Sequence, residues 1–456
     1  MAAINKTAMV FLAVLNLLKE LVAVDLSAVS FGAALVVLIS GIVLIGKGFK
    51  KVTVIFLASG SGLLLYFNQP LVVWISGINY LTNVISILVI MQLFSIPIEV
   101  GKYSEAARYW LTKSFNREAG LFLFATTLTH VFASFLLFGT IPVMVSLLGQ
   151  TLKSSVANYE RFMAAAVARG YSLVVLWAPG AINLLLVVQA TGVSWMELFI
   201  PGLILSIIGI FTSWLLEAKL VLSTNPLPAS LEVVQTGNNA AACRKAGHII
   251  LVVISLVVIT VVLDKINIGS GSSRIMLAGL VVVVVWLAAF INRPEIKGTL
   301  QNYWQSGLLK AGDLAPLFIA MGLLSTAVEK TGLLIIIQPG LQSMANSLGI
   351  FSMAILPLLM ILCAIAGIHP FISIVLCGRI LTALNLPIAP VTLGLCLGLG
   401  GSISYIASPF AGIVLTLAKF INCRTVDIAL RWNLAFGIVF FIEGIIFAYL
   451  WGWIFG

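Results

Sequence analysis

The sequence predicts an all-α polytopic membrane protein with about eleven transmembrane helices, two re-entrant helical hairpins and two repeats of inverted topology. Three observations lead there. First, 61% of the 456 residues are hydrophobic and only 9% are charged, more apolar side chain than a water-soluble chain could bury. Second, apolar runs of about 17 to 25 residues recur, the length that spans a bilayer core. Third, a polar signature appears twice inside apolar sequence. His130-x-Phe132-x-Ser134-x4-Gly139-x-Ile141 returns as His369-x-Phe371-x-Ser373-x4-Gly378-x-Ile380, in a chain with only three histidines.

Taken in order, crossings fall near residues 8–24, 28–46, 53–76, 81–98, 172–191, 198–216, 247–263, 275–291, 314–328, 400–418 and 431–453. The first is the weakest, because Lys19 and Glu20 lie inside it. Regions 119–151 and 351–385 are too long for one helix and are interrupted by polar residues and by Pro142 or Pro370. Each reads as a hairpin that enters and leaves on one side, its irregular tip sheltered by protein or a water-filled cavity. The plan is then an N-terminal helix (1–27) and a first repeat (28–217) containing hairpin 119–151 and a broken helix 172–191. A cytoplasmic loop (218–246) leads to a second repeat (247–456) with hairpin 351–385 and broken helix 400–418.

Charge orients this plan. The net charge is +10, and basic residues gather at alternate chain turns: Lys6, then Lys47, Lys50 and Lys51, then Lys102 to Arg117. Lys153, Arg161 and Arg169 follow the first hairpin, and Arg244 and Lys245 close the long polar loop. Few fall on the other side (Lys265, Arg274, Lys330 and Arg379). The asymmetry predicts a cytoplasmic N-terminus and assigns the basic charge to loops rather than to nucleic acid; the expected location is a bacterial inner membrane. No short basic region followed by an A-x-A site marks a cleaved signal peptide. The five cysteines show no paired spacing and read as small core residues rather than disulfides or zinc ligands.

The duplication extends beyond the histidines. A shift of 230 links Gly170 to Gly400, Ser172 to Ser402, Pro179 to Pro409 and Glu197 to Asp427, while the hairpin signatures match at a shift of 239. Five crossings separate equivalent elements. Five is odd, so the second half lies inverted, with equivalent hairpin tips meeting near the midplane.

The candidate site follows from that symmetry. His130, Phe132 and Ser134, with His369, Phe371 and Ser373, mark the tips, where helix N-termini offer N–H groups to an anion and a histidine can titrate. Ala178-Pro179-Gly180 and Ser408-Pro409-Phe410 interrupt two crossings, and each proline removes a donor and frees a carbonyl one turn earlier. His130, Phe132, Ser134, His369, Phe371, Ser373, Pro179, Asn183, Ser408 and Pro409 are candidates for substrate. His130, Ser134, Ala178, His369, Ser373, Ser404 and Ser408 are candidates for the coupling ion. A bridging role for each imidazole, and simple packing kinks at the prolines, are the plainer alternatives. Glu443, midway along the last crossing, suits a proton relay, a contact with a neighbouring polar group or a dimer contact. Metalloprotease, P-loop and nucleophile-elbow motifs are all absent from the sequence, which argues against an enzyme. No cofactor is implied beyond a coupling proton or sodium ion, and sodium is the only metal suggested.

This order of parts resembles the ion transporter superfamily, in particular the divalent anion/sodium symporters. One leading helix precedes two inverted repeats, each with a re-entrant hairpin and then a broken helix. In that family the tips carry Ser-Asn-Thr; here His130 to Ser134 and His369 to Ser373 take those places, with Ala178-Pro179 and Ser408-Pro409 at the breaks. The resemblance implies a homodimeric, elevator-type carrier embedded in lipid, with cation sites at tip and break. The function expected is secondary active transport of a small anionic, carboxylate-type metabolite, driven by a proton or sodium gradient. A cation/proton antiporter, an exporter, or the membrane subunit of a binding-protein-dependent tripartite carrier are the alternatives.

Overall fold

The computed structural model describes residues 1–21, 25–103, 117–153, 156–222, 239–290, 296–308, 312, 314–368, 370–382, 384 and 388–455. All elements among them are helical, and eleven stretches are long and apolar enough to cross a membrane. Their surfaces suit lipid rather than water. Ile438, Ile442 and Ile446 recur every four residues along the last helix, and each is 54% exposed. Such a stripe is unfavourable in water and unremarked in a bilayer.

The chain opens with α1 (Ala2–Leu21), α2 (Ser27–Leu44) and α3 (Lys47–Tyr66). Asn68 then takes a left-handed φ of 49° and Pro70 follows, so the single crossing expected at 53–76 is divided. Next come α4 (Leu71–Asn79), α5 (Thr82–Met91) and α6 (Ser95–Val100), a broken run that replaces the crossing at 81–98. The first hairpin is α7 (Glu118–Leu136) and α8 (Thr140–Lys153). It leads to α9 (Tyr159–Val174), α10 (Ile182–Thr191) and α11 (Trp195–Leu220). Beyond these lie α12 (Asn239–Lys265), α13 (Gly271–Phe290), α14 (Ile296–Asn302), α15 (Ala315–Lys330) and α16 (Leu333–Leu348). The second hairpin is α17 (Ser352–Ile365) and α18 (Pro370–Thr382), followed by α19 (Pro390–Ala407), α20 (Gly412–Ile421) and α21 (Leu434–Phe455). The loop expected at 218–246 is shorter than its polarity suggests, since α11 runs to Leu220 and α12 starts at Asn239; most of its remainder lies outside the described residues.

Two compact units emerge. The first comprises Met1–Val100, Leu256–Gly349 and Val375–Leu386. Here α15 packs against α2, α3 and α4, and α1 packs against α2 and α5. The small-residue run Ser59-Gly60-Ser61-Gly62 contributes at Gly60, where an added Cβ would lie 3.0 Å from the Leu324 backbone nitrogen. Such close backbone approach is the use of small residues in membrane helix packing.

The second unit comprises Gly101–Ser255, Ile350–Ile374 and Pro387–Gly456. It contains the first hairpin, the tip of the second, and both broken helices. In it α7 packs along α9 and α17 along α19, while α10 meets α19 and α20 meets α9. This is the contact pattern of two related halves. The 230-residue shift holds here to the residue: α10 maps onto α20, and the helices end at Gly192 and Asn422, both left-handed at φ 73° and 54°. Near the centre the Ser402 hydroxyl donates to the carbonyl of Ser172, its own counterpart, at 2.8 Å.

A buried ion pair fastens this unit together. Arg169, expected at a cytoplasmic surface, is instead 1% exposed within α9. It donates to Glu217 (2.7 Å), Asn433 (2.8 Å) and the Trp432 carbonyl (2.8 Å), and its guanidinium lies 4.9 Å from the Phe436 ring centre. Arg161 reaches Glu217 from a more exposed position. Breaking such a pair strands a buried charge, so Arg169→Met should cost about 3–5 kcal/mol of stability. Adding Glu217→Met should recover part of that loss. Thermal unfolding in detergent measures both.

Candidate functional site

The site is built from the two breaks. α9 stops at Val174 and α10 begins at Ile182, leaving Ala178, Pro179 and Gly180 between two half-helices. α19 stops at Ala407 and α20 begins at Gly412, with Ser408 extended (φ −94°, ψ 122°) and Pro409 beside it. The breaks were legible; the helix starts were not. The half-helices begin at Tyr159 and Pro390, ahead of the expected 172 and 400, because Glu160, Arg161 and Arg169 disguise the first as a loop.

The hairpin tips are not where the histidines suggest. The first turns at Leu137–Gly139, with Leu137 at φ 50°, so His130 lies inside α7, seven residues or about 10 Å before the tip. The second turns just after Ile365, where Gly367 takes φ 97°. His369 lies outside the described residues, and Phe371 and Ser373 open the second arm. The two signatures therefore flank their tips from opposite sides, and the 239-residue match does not relate equivalent places. The glycines give the structural register. Gly170 faces Thr126 and Thr129 of α7, and its counterpart Gly400 faces Pro357 and Met360 of α17, an offset of 231. Position 130 then corresponds to apolar Ile361.

His130 is a clamp. Its Nε2 accepts from the Trp177 indole at 2.9 Å, which leaves Nδ1 to donate to the Gly170 carbonyl at 3.1 Å. Both ring nitrogens thus join the first hairpin to the first broken helix, and Trp195 caps the Trp177 carbonyl at 3.0 Å. Ser134 donates back to the Val131 carbonyl, and Phe132 is fully buried. Ser408 plays the same joining part in the other half. Its hydroxyl donates to Ala364 at the end of α17 and accepts from the Phe410 N–H.

Three other predicted residues have no such partners among the described residues. Asn183 is 0% exposed in the first turn of α10, and both its amide oxygen and nitrogen lack hydrogen bonds. The buried hydroxyls of Ser373 (α18) and Ser404 (α19) lack them too. Their elements meet at Gly401, where an added Cβ would lie 2.6 Å from Asn183 Nδ2 and 3.2 Å from Ile374 Cδ1. A buried polar atom without a partner is costly, and in a native protein it marks a missing water, ion or ligand.

Aromatic rings close this region. Tyr171 and Tyr405 lie 5.9 Å apart and Phe371 lies 6.1 Å from Tyr405. A cavity of about 10 Å³ remains between both tyrosines, Ala133 and Leu137 of the first hairpin, and Ala181 and Ile182 of the first break. That is room for one water at most. Tyr171, Trp177 and Tyr405 were missed in the sequence, where tyrosines beside Gly170 and Ser404 were the available signal. Glu443 meets a neighbouring polar group: the Thr212 hydroxyl lies 2.9 and 2.8 Å from its two oxygens. No group of histidine, cysteine and acidic side chains that could hold a metal occurs among the described residues.

With this geometry in view, the fold finds counterparts among solved transporters. The structure is similar to the YdaH transporter of Alcanivorax borkumensis, described as having an unusual topology. The TM-score is 0.57 at 14% sequence identity, over 85% of this chain and 88% of that one. It is also similar to MtrF of Neisseria gonorrhoeae, described as illuminating a class of antimetabolite efflux pumps, with a TM-score of 0.53 at 13% identity over 81% of each chain. No protein-family model matches the sequence, and no curated protein sequence matches it. At these identities the likeness is one of fold: an integral membrane protein built like solved transporters.

The clamp yields a prediction. His130→Ala strands the Trp177 N–H, at about 1–3 kcal/mol for a buried group left unpaired. Adding Trp177→Phe removes that orphan, so the double variant should lose clearly less than the sum of the two single changes in thermal unfolding.

Proposed function

We propose that this protein is a secondary active transporter of a small anionic, carboxylate-type metabolite, and that the coupling ion is sodium. The observation that carries the reading is the trio Asn183, Ser373 and Ser404: buried, unpartnered, and borne by elements that meet beside the two helix breaks. An amide oxygen and two hydroxyls form a neutral set of hard oxygen donors, the chemistry that suits a small monovalent cation. The substrate would approach the half-helix N-terminus at Ile182, where the dipole favours a carboxylate. Pro179 and Pro409 keep the backbone open there.

In this reading the second unit, which contains both broken helices, carries the substrate, and the first holds a homodimer in the membrane by an elevator-type mechanism. His130 and Ser408 position the hairpins rather than bind the ion. The resemblance to the ion transporter superfamily and the transporter fold of the solved neighbours support the class. A second reading, export, is favoured by the likeness to MtrF, whose structure is described as that of an efflux pump.

The test is thermal unfolding of the detergent-purified protein against sodium, with choline as control, at pH 5.5 and 7.5. A ligand that binds only the folded state stabilises it by about 2.7 kcal/mol at one hundred times its dissociation constant. Sodium should raise the melting temperature at both pH values, and Asn183→Ala and Ser404→Ala should abolish that rise without lowering the sodium-free value. A melting temperature indifferent to sodium but shifted by pH would replace sodium with the proton. Uptake of labelled carboxylates into proteoliposomes under an imposed sodium gradient then identifies substrate and direction.

A further inference from the structure

The first unit contains a larger cavity, of about 440 Å³, that the transport reading leaves unused. Eleven of its fourteen lining residues are polar and none is acidic, in a chain that is 61% hydrophobic. It lies where α1 ends and where α2, α5 and α13 begin, at one end of the unit's membrane-spanning helices. Three helix N-termini thus border one space, each contributing partial positive charge. Lys19, in the last turn of α1, adds a full charge. The neighbouring acid, Asp25, is bound to the Ser27 N–H and does not line the cavity.

Two orphaned atoms give the space a ligand's chemistry. Ser30 is 4% exposed, lines the cavity, and has no partner for its hydroxyl. Asn79 donates to the Ser27 carbonyl at 2.9 Å but leaves its own amide oxygen unpaired. The ligand must therefore accept hydrogen bonds as an anion and also donate at least one. At the rim Val72 is 73% exposed and its neighbour Leu71 67%, an apolar lip beside a polar hole.

We propose that this cavity binds a phosphate group carrying hydroxyls, as in a phosphoglycerol. The phosphate lies against Lys19, the Ser30 hydroxyl and the helix N-termini, and a glycerol hydroxyl donates to Asn79. Phosphatidylglycerol and soluble glycerol 3-phosphate both present this chemistry.

Thermal unfolding of delipidated protein in detergent separates the sources. Phosphatidylglycerol should raise the melting temperature and phosphatidylcholine should not. Lys19→Met, at an exposed position that does not threaten folding, should weaken the phosphatidylglycerol effect about tenfold, the loss expected for one charged hydrogen bond. Ser30→Leu, which fills the cavity, should remove it. If glycerol 3-phosphate stabilises as well as the lipid does, the site takes soluble phosphate esters; if only the lipid does, it is a lipid site. Equal effects of the two lipids with none from glycerol 3-phosphate, or an undiminished phosphatidylglycerol effect in Lys19→Met, would overturn the proposal.

Discussion

Backbone left open inside a membrane must find partners within the protein, and the second unit is organised around that demand. Two helices stop midway, at Val174 and Ala407, where water is scarce and unpaired carbonyls are expensive. Several nearby polar side chains donate to carbonyls of the first broken helix. Ser206 donates to the Leu173 carbonyl, Ser402 to Ser172, His130 to Gly170, and Trp195 to Trp177. Gly202 serves by absence: an added Cβ would sit 2.0 Å from the Leu176 carbonyl oxygen. Histidine, serine and tryptophan are therefore conscripted first by the backbone, and only what remains is available to a ligand.

That ordering explains what the sequence revealed and what it concealed. The 230-residue repeat was legible because it is written in residues with backbone consequences: glycines at helix crossings and prolines at breaks. The histidine signature misled for a physical reason. A His-x-Phe-x-Ser spacing fits a helical arm as well as a tip, and nothing in it tells which side of the turn it occupies. The first match lies before its tip, and the described part of the second lies after. Charge misled at α9, where Arg169 resembled a loop residue because its partners, Glu217 and Asn433, are far along the chain. Pairing across 48 and 264 residues is invisible to local reading.

Two acids of this unit, Glu217 buried and Glu443 part-buried, show how pairing changes an ionisable group's part. Glu217 meets two arginines and joins α9 to α11; Glu443 meets one hydroxyl and joins α11 to α21. Both serve α11, the long helix that also carries Gly202 and Ser206 against the first break. α11 thus acts as a brace, capped at its start by the reciprocal Ser194–Glu197 box and held at its far end by arginine. Its counterpart in the second half begins with a π-helical turn, Asp427–Trp432, whose last carbonyl accepts from Arg169.

The nature of the unpaired groups bears on the driving ion. A proton site needs a group that changes charge, and the described residues at Gly401 provide none: Asn183, Ser373 and Ser404 are neutral at any pH the protein meets. His130 can titrate, yet the indole of Trp177 occupies Nε2 and the Gly170 carbonyl occupies Nδ1. Proton exchange there would require the clamp to open. A cation that needs oxygen ligands and no titration asks less of this arrangement, since the amide and hydroxyls need only turn toward it. Sodium coupling follows in the proposed reading from what the backbone left unclaimed, rather than from the histidine that first drew the eye.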